Sequence, residues 1–503
     1  MASRRDELNA YTFAKRRLVA QFVQPNPTGT EEGAPRPLRG FLPGLVVGVV
    51  VLAVFGAWGM FSPKAPKDWD KPKEKIIVGS ESMTTYVVLT TDGRPPQLHP
   101  VLNLASAKLL LSDQSGDVVK VDEKILDAGK PPRGPLLGIP YAPDRLPDPK
   151  DAGTRKRWAV CETVNEGGSR NIRKAAFVLN QREERSVEGR NRLRAGELMY
   201  VEGPDHSLHV VDHRGKRYRL PEGEAGEPLR RQVVGQNKKP QRVSKEWLNT
   251  TDEGDPITFP EIKGTVGAPA NVPGLSGPAN KVGMILTAPV ADGTAKYLVL
   301  PGRVAPVSDF MANLLLSSPD LKRLDQTEPT RVPPVEELGA SFGDEKDWPK
   351  KVGGDIVNDD GHDTFCNVLR DVHSNGKPDL STWSGKNFPL AVNADTTTAH
   401  VSPGSGQLFR QYSGRSTKEG TTYLVTDTGL RYALRKSKDS DRDDSGIGTE
   451  RKSSQREAQR DEDSQRRLGY GDQDPTPVPA AWASYLPLGP VLSNTDARQP
   501  QGS

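Results

Sequence analysis

One segment constrains this chain more than any other. Residues 41–61, FLPGLVVGVVVLAVFGAWGMF, run for 21 residues without a charge. A helix rises 1.5 Å per residue, so such a run reaches about 31 Å, the thickness of a hydrocarbon core. It reads as a single transmembrane helix. The 40 residues ahead of it are too many for a signal-peptide n-region, and no A-x-A site follows, so the reading is an uncleaved anchor. No second segment is apolar enough to cross, which excludes a multi-span transporter. Gly44 and Gly48 make a GxxxG step, with Gly56 on the same face two turns on. Small residues there let two helices approach closely, although glycine is also simply frequent in membrane helices.

Residues 3–23 ahead of the span read as one helix. Ser3 with Asp6 fits a capping box, and Pro25 and Pro27 end it. Leu8, Tyr11, Ala14, Leu18 and Phe22 recur at three- and four-residue steps and form one face, with Lys15, Arg16 and Arg17 read as lying largely off it. Such a helix either rests on anionic lipid or docks on a cytosolic partner. Lys64, Lys67, Lys71, Lys73 and Lys75 follow the span, so basic residues near its ends do not favour an N-inside topology. The chain has two cysteines, Cys161 and Cys366. They are either two unrelated buried thiols or one long-range bridge; a bridge needs an oxidising compartment and would put the large C-terminal part outside.

That part repeats itself. HVVDHRGKRYRL (209–220) aligns without gaps on YLVTDTGLRYAL (423–434), each with apolar residues, a turn glycine and Arg-Tyr-x-Leu. Apolar runs around a glycine turn predict a β-hairpin. Looser copies are YVVLTTDGRPP (86–96) and YLVLPGRVAPV (297–307). NLASAKLLL (103–111) and DFMANLLL (309–316) read as short helices after hairpins, and VDEKIL (121–126), VSKEWL (243–248) and VPAAWASYLPLGPVL (478–492) come later. About four small β/α units follow, each too short to bury its own faces. RWAVCETVN (157–165) and TFCNVLR (364–370) read as strands of a central core.

The expected fold is α+β: a cytosolic helix and linker (1–40), the span (41–61), and an elongated exterior domain (62–503). Its repeats lie near 76–140, 195–260, 282–340 and 405–495, and its core strands near 155–180 and 355–395. Residues 436–467 carry nine basic and nine acidic residues and one isoleucine, and read as a disordered surface insertion.

Composition and motifs narrow the chemistry. Lys+Arg 69 against Asp+Glu 65 is too balanced for a nucleic-acid binder by charge alone. There is no Walker A loop, HExxH, EF-hand loop or GxSxG elbow. His206, His209, Asp212 and His213 cluster, with His209 and His213 on one strand face; they read as exposed hairpin histidines before they read as a metal site. Ser405 reads as loop.

The arginine-rich helix FAKRRLVAQFV (13–23), the single span and the Tyr-Val/Leu-Val-Leu repeats flanking a two-cysteine core together resemble one family. The chain is similar to EccB, the single-span membrane component of the actinobacterial type VII (ESX) secretion system. The resemblance covers nearly the whole chain outside 436–467. It implies four repeat domains around a β-core, with Cys161 and Cys366 matching the disulfide of that core. It implies a structural role; the motifs give no catalytic site, metal or cofactor, and any cofactor-binding residues stay unknown. The partners it implies are an EccC-type FtsK/SpoIIIE-like ATPase, EccD, EccE, a mycosin protease, membrane lipid and further copies of the chain in a ring complex. It favours a docking role for Leu8, Tyr11, Arg16, Arg17, Leu18 and Phe22. Some members of that family have been described as ATPases, so ATP binding is the alternative, unsupported here by any motif. A cell-wall-binding exterior module is the second alternative.

Overall fold

The computed structural model describes residues 3–23, 38–61, 65–90, 95–112, 116–164, 172–335, 340–351, 356–358, 362–392, 398–434 and 463–501. Helix α1 spans Arg4–Val23. Its start is closed reciprocally: Ser3 N donates to Asp6 Oδ2 at 3.2 Å, and Ser3 Oγ accepts from Arg5 N at 3.3 Å. Leu8, Tyr11, Leu18 and Phe22 are all exposed. Lys15 lies four residues after Tyr11 and seven before Phe22, so it sits on this apolar stripe and not off it. Phe13 is exposed off the stripe. The face is therefore interrupted by a charge and is less one-sided than its spacing suggests.

Helix α2 spans Leu38–Phe61, with Pro43 inside it. The side chains described on it run from 43 to 56. Among the described residues no helix is long and apolar enough to cross a membrane.

The rest of the chain builds five sheets. Four of them are the repeats, here R1 to R4, and all four share one four-stranded topology, to which R2 adds Asp252–Glu253 parallel to its third strand. In R1, strands Lys75–Gly79, Thr85–Leu89 and Gln97–Pro100 form an antiparallel meander. Helix Leu104–Leu110 crosses back, and strand Asp117–Val121 returns parallel to the first strand. R2 repeats this with Leu198–Glu202, Leu208–Asp212 and Lys216–Leu220, helix Glu227–Val234 and the returning strand Gln241–Arg242. R3 uses Ile285–Val290, Gly293–Leu300 and Arg303–Val307, helix Asp309–Leu316 and Thr330–Arg331. R4 uses Gly406–Tyr412, Thr421–Thr426 and Arg431–Ala433, then Thr476–Pro479. The hairpins read at 209–220, 297–307 and 423–434 are the second and third strands of their meanders; the copy at 86–96 holds the second strand of R1 but stops just before the third, and 91–94 lie outside the described residues.

Local chemistry explains the elements. Gly215 and Gly429, the turn glycines of the two aligned hairpins, have φ of +70° and +80°, where a side chain would strain the backbone. The crossing helices of R1 and R3 begin at side-chain caps: Asn103 Oδ1 accepts from Ser106 N at 2.9 Å, and Ser308 Oγ from Met311 N at 3.1 Å; that of R2 begins at Gly226 without one. Helices Lys245–Leu248 and Ala480–Ala483 follow the returning strands of R2 and R4, and each buries a tryptophan, Trp247 and Trp482.

Residues 436–462 of the expected insertion lie outside the described residues. Its end departs from a surface loop: 463–467 are helical, Ser464 and Gln465 are buried, and Arg467 Nη1 donates to Leu111 O of R1. Position is the reason. This helix stands between the third and returning strands of R4, where the other repeats carry their crossing helix, and the buried Leu468 and Tyr470 anchor it from behind.

The fifth sheet is the core. Two distant hairpins, Arg157–Val164 with Ile172–Leu179 and Thr364–Val372 with Pro378–Gly385, meet edge to edge. Strand Thr398–Val401 adds parallel to Ile172–Leu179, beyond the expected core range. R1 and R4 share one hydrophobic cluster, and R2 and R3 share another. R4 also packs on the core through Trp158, Phe409 and Trp482, and R2 through Phe365, Met199 and Trp247. Shared packing thus links the units in the order R1, R4, core, R2, R3.

Candidate functional site

The core sheet is where the two halves of this series meet. Residues alternate across it. Ala159, Cys161, Cys366 and Val368 face one side, covered by Val187, Phe388 and Leu390. Trp158, Val160 and Glu162 face the other, toward R4 and R2. Cys161 stands directly opposite Cys366 on the adjacent antiparallel strand, and the two form a disulfide. Their α-carbons are 4.0 Å apart.

On the repeat-facing side the buried polar groups hold units together. Glu162 is fully buried, and its Oε2 accepts from Ser244 N at 2.7 Å. Its Oε1 accepts from Ser244 Oγ at 2.5 Å and from Tyr485 OH at 3.3 Å. Ser244 caps helix Lys245–Leu248 of R2, and Tyr485 belongs to R4, so one carboxylate reaches both halves. Lys174 Nζ stands 3.9 Å away and also pairs with Glu246 at 3.0 Å. Burial pushes the Glu162 pKa up, against the pull of Ser244 and Lys174. Trp158 Nε1 donates to Gln407 Oε1 of R4 at 2.7 Å, and Asn367 Nδ2 to Thr250 Oγ1 of R2 at 2.8 Å. Thr382 Oγ1 donates to Asp212 O of R2 at 3.0 Å, and Tyr412 OH of R4 to Gly376 O at 2.8 Å.

The histidine cluster does not converge. His206 Nδ1 is 2.6 Å from Glu202, and the Asp212 carboxylate accepts from the backbone of Arg214 and Lys216. His209 is buried, contrary to the expectation of an exposed side chain, with Nε2 2.9 Å from Ser207 Oγ. Among the described residues no group of three or more His, Cys, Asp or Glu is placed to hold a metal ion. Ser405 is part of a joint and not a free loop: its Oγ donates to Asp151 Oδ2 at 2.6 Å, and Asp151 pairs with the buried Lys156 at 2.5 Å. A cavity of about 120 Å³ lies between the crossing helices of R2 and R3, lined by Val233, Phe310, Leu314 and Ile356 with Gln232 and Lys351.

Nothing in α2 explains its glycines from within. A methyl group added at Gly44, Gly48 or Gly56 would meet no atom within 4 Å. Sequence reasoning missed Glu162, a lone carboxylate in an apolar strand. It also missed Gly254 and Gly489. A Cβ on either would stand 2.6 Å or 2.4 Å from Cε1 of Tyr218 or Tyr432, the tyrosines of the two aligned hairpins. The shared Arg-Tyr-x-Leu could have signalled that each tyrosine needs a small neighbour.

The family comparison decides among readings of this joint-built architecture. A family model described as "Type VII secretion system ESX-1, transport TM domain B" matches residues 1–502. The chain belongs to the EccB family. A curated relative, the ESX-3 secretion system ATPase EccB3 of Mycolicibacterium smegmatis, is 27% identical over 493 residues, covering 92% of this chain and 84% of its own length. The ESX-5 secretion system ATPase EccB5 of Mycobacterium tuberculosis is 24% identical over 530 residues, covering 98% and 93%. Among solved structures, a chain of the intact ESX-5 inner membrane complex superposes with a TM-score of 0.58 at 21% identity, covering 100% of this chain and 96% of that one. The EccB3 dimer of the ESX-3 core complex gives 0.58 at 23% identity, covering 84% and 99%. These structures share the fold of this EccB-family chain.

Proposed function

We propose that this EccB-family chain is a structural membrane subunit of a type VII secretion complex, scaffolding the exterior side of the export machine. The observation that carries this reading is where the buried polar groups go. Glu162, Trp158, Asn367, Thr382 and Tyr412 bond one unit to the next. That is the economy of a frame. In this reading α1 is cytosolic, α2 crosses the membrane once, and everything after residue 61 is exterior. The uncharged run 41–61 supports the crossing. The Cys161–Cys366 bridge supports the orientation, because such bonds persist outside the cytosol. The exposed Leu8, Tyr11, Leu18 and Phe22, with Arg16 and Arg17 beside them, suit docking on an EccC-type FtsK/SpoIIIE-like ATPase. Gly44, Gly48 and Gly56 suit a neighbouring helix, of EccD, EccE or a second copy. A mycosin protease is the proposed exterior partner.

The names of the curated relatives favour a second reading, an ATPase. The full chain purified alone in detergent separates the two. The scaffold reading expects no ATP turnover above a heat-inactivated blank. Turnover proportional to protein, with saturable magnesium-ATP binding, would favour the second.

A further inference from the structure

Three residues, 62–64, separate the end of α2 at Phe61 from Ala65, where the described chain resumes. The segment from Lys67 onward is held by R1. Lys73 N donates to Val88 O at 2.9 Å, and Ser112 N to Lys73 O at 3.0 Å, which ties it to the second strand and to the chain just past the crossing helix. Lys75 Nζ reaches back to Lys67 O at 2.7 Å. Trp69 packs, half-buried, against the cluster of Ile77, Tyr86 and Leu98. The first bond of this segment to R1 is at Lys67, so the covalent distance between α2 and folded R1 is six α-carbon steps, at most about 22 Å. Beside this segment lies an outer strand of the R1 sheet. It is in register with the first, Asp117 opposite Lys75 and Val118 opposite Ile76. Ile76 is fully buried, whereas Val118 is 57% exposed.

We propose that this edge of R1, together with the segment that leads into the strand beside it, rests on the headgroup layer of the membrane that α2 crosses. The inference depends on reading α2 as a span. Connectivity chooses the occupant: a tether this short leaves the membrane surface as the nearest surface available to the edge. Trp69, with an apolar body and a polar tip, suits the water–lipid boundary. Residues 65–75 carry Lys67, Lys71, Lys73 and Lys75 against Asp68, Asp70 and Glu74, a net charge of +1. So small an excess makes the contact independent of anionic lipid. R3 shares its cluster with R2 and has no residue in the clusters of R1, so Val290, exposed on the R3 hairpin, is the reference position.

The full chain carrying Val118→Cys, labelled with a fluorophore, tests this in vesicles whose headgroups bear a nitroxide quencher. Both native cysteines are held in the disulfide, so the new thiol is labelled alone. Asp117→Cys is a second probe of the same edge, should the first disturb the strand. The probe at 118 or 117 should lose most of its fluorescence, equally in phosphatidylcholine vesicles with and without phosphatidylglycerol, while a Val290→Cys probe keeps its own. An unquenched edge in protein that resists alkaline extraction overturns the contact. Equal quenching at the edge and at 290 also overturns it. Release of the chain by alkaline extraction overturns the span instead.

Discussion

Glu162 shows how a single residue can hold two halves of a molecule. Removing its carboxylate by Glu162→Ala strands Ser244 N and Ser244 Oγ without their acceptor, while Lys174 keeps Glu246. The loss should be about 3 kcal/mol, read by chemical denaturation of the full chain. Because burial raises its pKa, the folded chain binds this proton more tightly than the unfolded one. The stabilisation from that difference is fully present below the ordinary glutamate pKa and is lost as pH rises through the raised folded value. Glu162→Gln does not titrate. Wild-type Tm minus variant Tm should therefore grow as pH falls across this window, and parallel curves would contradict the assignment. The disulfide was partly legible in the sequence: two cysteines sit in apolar runs that both read as strands, and the family resemblance supplied the pairing. Glu162 was not legible, because its partners come from residues 244 and 485 and only the assembled joint brings them together.

At the scale of elements, hairpins were legible because period-two runs around a glycine are local signals, and Gly215 and Gly429 do occupy the left-handed region. Returning strands were not. Gln241–Arg242 and Thr330–Arg331 are two residues long, too short for any periodicity, and exist only because the first strand offers a parallel edge. The charged stretch 436–467 hid the helix at 463–467, because balanced charge dominates its composition while Leu468 and Tyr470, which hold that helix, lie just past it. For α1, spacing correctly placed Leu8, Tyr11, Leu18 and Phe22 on one face but misjudged Lys15, which shares it. The docking reading makes a definite claim about this helix. Leu18→Asp with Phe22→Asp should release the cytosolic ATPase from the isolated membrane complex and stop secretion, while the chain still fractionates with membranes. Full recovery of the ATPase with the double variant would leave only a lipid-resting helix.

At the scale of the whole molecule, the sequence announced four small units but not their partners. R2 pairs with its neighbour in the chain, R3, but pairing R1 with R4 joins segments hundreds of residues apart, and the core itself is assembled from strands near 160 and near 370. No local pattern carries such information; it resides in which faces fit. A frame acts by being present, and that is what would separate it from an enzyme in the same machine. Losing a catalytic subunit's chemistry leaves the assembly standing, whereas losing a frame dissolves it. The most direct measurement is the native mass of the secretion complex extracted from membranes of cells with and without this chain. A scaffold predicts that, without it, the complex falls to subassemblies and export stops. A complex of undiminished mass, short only of this one subunit, would contradict the account.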